Sequence, residues 1–253
     1  MSVSSHSHKH FSTTRWSVVM QLAAASSSDA QGALTELTQR YWYPVYAYVR
    51  RCGHVPAMAQ DITSSFLHHL LQHFRAGNMH EGGRHDGSRL AAQGHFRRYL
   101  LERLNTFLAG DWRETVAAED ATELGLPPSD LEQRYLRDNA SANSPEQAYQ
   151  RSFALEVLGR AFKRLRKEAR QTGHLAMYEA LEPFLGNDPQ AGVYEALARQ
   201  LNSRPLALVV ALKRLRQRFR ELVGEELADT VTSADDLAAE QQALHAILRH
   251  TQT

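Results

Sequence analysis

Lys213, Arg214, Arg216, Arg218 and Arg220 fall within one run, KRLRQRFR. Ammonium and guanidinium groups in such a row hold anions, and the extended anion they suit is the phosphate backbone of nucleic acid. The same run is also what a solvated helix face looks like, so its surroundings decide its chemistry. Histidines form the other reactive set. His68, His69, His73, His80, His85 beside Asp86, and His95 could ligate a metal, and His69 and His73 stand one helical turn apart. No HExxH, paired-cysteine spacing or glycine-rich phosphate loop accompanies them. Histidines on an exposed helix and loop are the simpler reading. No catalytic residue, metal or cofactor is expected, and the chain is not read as an enzyme.

The elements that position the cations lie between Val193 and Val223. Tyr194, Leu197, Ala198 and Leu201 recur at helical spacing and predict one apolar face of a short helix. Asn202-Ser203 breaks that pattern, with Ser203 placed to cap the next helix and Pro205 in its first turn. A longer helix carries Leu208, Leu212, Leu215, Phe219 and Leu222 on one stripe, with the cations off it. Two striped helices joined by a tight turn, the second one basic, form the pattern of a helix-turn-helix.

Lys and Arg total 29 against 28 Asp and Glu, so net charge says little, but its distribution is uneven. Basic residues dominate from Gln150 to Arg220, acidic ones from Glu114 to Glu146, and Glu221 to Glu240 has no basic residue. Such alternation suits a protein with one face for nucleic acid and segments kept off it. The one cysteine, Cys52, excludes an internal disulfide and suits the reducing cytoplasm. No stretch approaches the roughly 18 to 20 apolar residues that cross a membrane.

Read in order, residues 1–10, with His6, His8 and His10, form a polar terminus expected to be disordered. Residues 11–113 read as four helices. The first contains Trp16, Val19 and Met20. The second runs from Ser28 to Gly53 and should kink at Pro44. The third carries Ala59, Ile62, Phe66, Leu70 and Phe74. A loop with four glycines, Arg75 to Gln93, precedes the fourth, which turns Phe96, Leu100, Leu104, Phe107 and Leu108 inward and leaves Arg97, Arg98 and Arg103 outside. Residues 114–147 read as an acidic linker with one helical turn near Leu131, and residues 148–224 as a second helical module. Residues 225–253 form an extension with a helix capped at Ser233, expected to pack on the second module. The expected fold is all-α, with two helical modules joined by an acidic linker.

FSTTRWSVV at Phe11–Val19, RYWYPVYAYVRR at Arg40–Arg51, FRRYLLERLNTFLAGDWR at Phe96–Arg113, and YEALARQLN followed by LKRLRQRFREL resemble bacterial sigma factors. The likeness is to the extracytoplasmic-function type that opens with a Thr-Arg-Trp-Ser motif. It implies that residues 11–113 act as region 2 and residues 148–224 as region 4. The partners would be core RNA polymerase, met by the third helix through Asp61, Thr63, Ser64 and Ser65, and promoter DNA. Arg98, Tyr99, Arg103, Asn105, Trp112 and Arg113 would grip and melt the minus-ten element, by ring stacking on unstacked bases and by holding phosphate. For Tyr99 and Trp112 core packing is the equal alternative. Arg204, Lys213, Arg214, Arg216 and Arg218 would sit on the minus-thirty-five element.

Two departures from the family pattern matter. Met58-Ala59-Gln60-Asp61-Ile62-Thr63-Ser64-Ser65 keeps one carboxylate where several are usual, and three hydroxyls stand there instead. A Ser/Thr kinase acting first on Thr63 could restore negative charge. Leu206, Val209 and Val210 lie opposite the core stripe, where they can touch thymine methyls or form a protein contact. A regulator that keeps the sigma architecture without promoter recognition is therefore the second reading.

Overall fold

The computed structural model describes residues 28–75, 96–110, 112, 128–231 and 233–249. Among them every regular element is helical and none is a strand, so the fold is all-α as expected. No helix of the described residues is long and apolar enough to cross a membrane. The expected helix at Trp16–Met20 and the glycine-rich loop fall outside the described residues. The chain divides into two compact units, residues 1–156 with 227–253, and residues 157–226.

The first unit is built on α1 (Ser28–Arg51) and α2 (Pro56–Arg75), which pack against each other; Tyr41, Val45 and Val49 of one and Ala59, Ile62, Phe66 and Leu70 of the other are buried. The helix α1 continues through Pro44. Phe96, Leu100 and Leu104 of α3 (Phe96–Ala109) are buried, as their spacing predicts. The core is aromatic. Tyr41 packs edge-on to Phe96 at 5.0 Å and stacks on Phe153 at 5.2 Å, arrangements that ring quadrupoles favour.

The acidic linker is shorter than the sequence suggests. Residues 128–138 form α4 (Pro128–Asp138), whose Leu131 and Tyr135 are buried. Its acids have partners on α1. Glu132 accepts a two-pronged pair from Arg50 (2.9 and 2.6 Å) and a hydrogen bond from Tyr46 (3.0 Å), while Asp138 accepts from Tyr43 (3.0 Å). The Arg50 hydrogen bonds hold the Glu132 carboxyl below its ordinary range. Acidity thus marks a docked helix here, and residues 139–144 lead directly into α5 (Pro145–Gln171).

The C-terminal extension belongs to the first unit, not to the helix-turn-helix module. Ser233 does cap its helix, α9 (Ala234–Arg249): the Asp236 N–H donates to the Ser233 hydroxyl at 3.1 Å. Glu240, almost fully buried, pairs with Arg97 at 3.0 Å, and the Phe96 N–H donates to the Thr230 carbonyl at 3.0 Å. Arg97 is therefore engaged inside the unit and not held outside, as the helical pattern alone suggested. Its guanidinium also sits over the Phe153 ring at 5.3 Å.

Candidate nucleic-acid interface

The second unit holds the predicted helix-turn-helix. The C-terminal part of α5, α6 (Leu175–Leu181) and the short 3-10 turn Glu182–Phe184 precede α7 (Val193–Gln200) and α8 (Pro205–Ala228). The apolar stripes meet as their spacing predicts. Leu181, Ala198, Leu208 and Leu212 are buried together, flanked by Tyr194, Leu197, Leu201 and Leu215. Leu222 joins Leu165, Ala169 and Tyr178 in a second cluster, where Phe219 lies 4.4 Å from Phe162.

The turn closes by backbone chemistry. Asn202 adopts φ 47°, a left-handed conformation that asparagine tolerates better than most residues. The Ser203 N–H then donates to the Ala198 carbonyl (2.9 Å) and the Asn202 N–H to the Arg199 carbonyl (3.4 Å). This is a Schellman stop, which satisfies carbonyls the end of α7 would otherwise leave open. Ser203 thus acts through its amide at the end of α7. The capping role expected of its side chain passes to the next residue: the Arg204 carbonyl accepts from Ala207 (2.9 Å) and Leu208 (3.3 Å), with Pro205 opening α8.

The five predicted cations of this module divide. Arg204, Lys213 and Arg214 are exposed, and their side chains make no hydrogen bond or ion pair among the described residues. Arg216 and Arg218 do not face a free surface. Arg216 donates to the carbonyls of Phe184 (2.8 and 3.2 Å) and Asn187 (2.8 Å) and pairs with Asp188 at 2.7 Å, bracing the loop before α7. Arg218 forks onto both oxygens of Glu168 (2.8 and 2.9 Å) and reaches Glu221 and Glu225 at 3.2 and 3.1 Å. Those hydrogen bonds, first among them the pair with Glu168, raise its pKa further and pull the Glu168 carboxyl down. Two guanidiniums expected on DNA are instead internal braces, because their acceptors lie on α5, in the loop before α7 and further along α8.

On the outer face of α8, Leu206 is 74% exposed, Val209 41% and Val210 43%. Beside them opens a groove of about 730 Å³ between α5, α6 and α8, which includes Met177, Ala207, Val210, Ala211 and Leu215 in its lining. The sequence shows the aliphatic residues but not the groove, since its far wall comes from α5 and α6.

The predicted region-2 residues divide too. On α3, Arg98 and Asn105 are exposed, and the Asn105 side-chain carbonyl accepts from the Tyr48 hydroxyl at 2.6 Å. Burial of Tyr48 pushes its phenol up to about 12. Arg103 is half-buried. Tyr99 is 6% exposed, beside Phe96, and Trp112 is 8% exposed, edge-on to His54 at 5.4 Å. Both rings are core groups, so neither is offered to an unstacked base. Arg113 lies outside the described residues.

On α2 the hydroxyl cluster is split by the helical turn. Asp61 and Ser64 are half-buried, Ser65 is 5% exposed, and Thr63 is fully buried with its hydroxyl donating to the Ala59 carbonyl at 2.6 Å. The first-choice kinase target is therefore inaccessible. Of the histidines, His80, His85 and His95 fall outside the described residues. Among those described, no group of three or more His, Cys, Asp or Glu is arranged to hold a metal.

No protein-family model, curated protein or solved structure matches this chain.

Proposed function

We propose that this chain is an alternative sigma factor, a cytoplasmic protein without catalysis of its own that joins core RNA polymerase and brings it to promoter DNA. The observation that carries the reading is a helix-turn-helix that presents three cations with unpaired side chains, Arg204 at the start of its second helix and Lys213 and Arg214 within it. These suit phosphate, which fixes position on the duplex without reading sequence. Arg98 and Asn105 on α3 remain available for a second DNA contact. Polymerase binding would rest on the Asp61–Ser64 face of α2, where Ser64 is the hydroxyl a Ser/Thr kinase could reach.

The test is reconstitution. The purified chain is mixed with core polymerase, resolved by gel filtration, and used for transcription on genomic DNA from the source organism. Co-elution and transcripts with discrete 5′ ends that appear only when the chain is added are expected. Absence of co-elution overturns the reading. A second reading, a sigma-like regulator acting through protein contacts, is favoured by the exposure of Leu206, Val209 and Val210. Polymerase binding without discrete transcripts is its signature.

A further inference from the structure

We propose that the groove between the C-terminal end of α5, α6 and the first half of α8 docks an acidic amphipathic helix of a partner protein. The inference stands on the groove and does not require the sigma-factor reading.

The shape comes first. Met177, Ala207, Val210, Ala211 and Leu215 give the groove of about 730 Å³ an apolar lining. Leu206 also lines it and is among the most exposed large apolar side chains described, and Val209 extends the aliphatic surface past it. A small molecule filling the groove would leave Val209 in water, so the occupant that buries the whole surface is a stretch of chain. Contiguous apolar surface of this kind marks contact sites. Its walls are helices and no strand edge is present among the described residues, so a helix laid in the groove is the fitting mode.

The charge selects the partner. Arg204, just before α8, and Arg214 within it both line the groove and are ten residues apart, about 15 Å at 1.5 Å per residue. Neither has an ion-pair partner among the described residues. Apart from the exposed His174 imidazole, the other polar groups of the groove are engaged within the unit. Glu168 is forked by Arg218, the Tyr178 hydroxyl donates to Glu182 (2.9 Å), and the Thr172 hydroxyl donates to the Glu168 carbonyl (3.0 Å). What remains is an aliphatic strip with a cation at each end. Its complement is a helix of about three turns, apolar at i, i+3, i+4 and i+7, with carboxylates at both ends. Duplex DNA could take the two cations, but the three aliphatic side chains would meet only thymine methyls. The same stretch of α8 can then serve the partner or DNA, not both at once.

The test selects 18-residue helical peptides with randomised surface positions from a display library. Full-length chain is the bait, and a Leu206→Asp/Val210→Asp chain is the counter-selection. Both substituted positions are exposed, and an unchanged thermal transition establishes that the variant is folded. Enrichment of net-acidic peptides with the apolar spacing above is expected. A synthesised winner should bind the Leu206→Asp/Val210→Asp chain, and separately an Arg204→Glu/Arg214→Glu chain, at least ~10-fold more weakly than the parent. The charge-reversed chain should in turn select net-basic peptides. Net-basic or uncharged winners on the parent, equal affinity for the variants, or no enrichment over the counter-selection each overturn the proposal. So does dodecanoate binding in the groove when no peptide is enriched, which would assign the site to a small amphiphile.

Discussion

Helices α2 and α8 each carry a polar cluster that reads as one surface in the sequence, and the fold divides the two clusters by different means. In α2 the division runs around the helix. Thr63 and Ser65 turn inward while Ser64 between them stays half-exposed. In α8 it runs along the helix. The first half ends in the unpaired cations Lys213 and Arg214, whereas Arg216 and Arg218 are held by carbonyls and carboxylates from α5, the loop before α7, and α8 itself. The first division is set by helical periodicity against a neighbouring core. The second is set by acceptors mostly distant in sequence, so residues of one type, two positions apart, end in opposite circumstances.

The largest effect that sharpens this contrast is on α2. Thr63→Asp puts a carboxylate at a fully buried position whose hydroxyl now bonds only the helix's own Ala59 carbonyl, and should cost about 3 kcal/mol or more. Ser64→Asp should stay within about 0.5 kcal/mol, as surface substitutions do. Urea unfolding of both variants decides it, and equal losses would mean that the two hydroxyls are not separated by burial.

On α8 the expected effects are smaller. Arg216→Ala uncovers the carbonyls of Phe184 and Asn187 and should cost about 1–2 kcal/mol. Arg218→Ala leaves Glu168, Glu221 and Glu225 close together, but its side chain is 36% exposed and solvent screens the pairs, so about 1 kcal/mol is expected. Lys213→Ala and Arg214→Ala should change stability by less than about 0.5 kcal/mol. Thermal melts of the four variants test the division directly, and a loss at Lys213 equal to that at Arg216 would break it.

The same distinction explains what the sequence reveals. The α7 and α8 stripes, the break at Asn202-Ser203 and the cap at Ser233 were all legible, because each depends on residues within two turns of one another. Acidic composition made residues 114–147 read as a linker, yet Leu131 and Tyr135 already stand four apart on one face of α4. What the composition concealed was the partner, Arg50, which lies 82 positions from Glu132. Tyr99 and Trp112 were ambiguous for a similar reason. A ring on an amphipathic helix packs or stacks according to its neighbours, and here His54 supplies the neighbour of Trp112. The groove was invisible because no single element contains it.

Acid should erase part of the α8 brace. Arg218 holds the folded-state Glu168 carboxyl below its ordinary value. Its contribution is therefore complete above the unfolded value near pH ~4.3 and is lost as pH falls through the lower folded value. Glu168→Gln lacks that contribution at every pH. The melting temperatures of parent and variant should differ at pH 7 and converge toward pH 3. A constant gap across that range would show that proton binding at Glu168 is not linked to folding.

The smallest effect bears most directly on function, because it separates cations that face outward from those that brace the fold. If Lys213 meets a phosphate, its removal deletes one released counterion, and the slope of log K against log salt should become shallower by about 0.9. Stability and any sequence preference should stay as they were, since a phosphate contact positions without specifying. Arg218→Gln tests the opposite case. Its guanidinium is saturated by Glu168, Glu221 and Glu225, so the slope should not change even though the protein melts earlier. Anisotropy titrations of a labelled duplex from low to moderate salt give both slopes. A shallower slope in Arg218→Gln would mean that DNA draws Arg218 away from its carboxylates, and the lengthwise division of α8 would then hold only in the free protein.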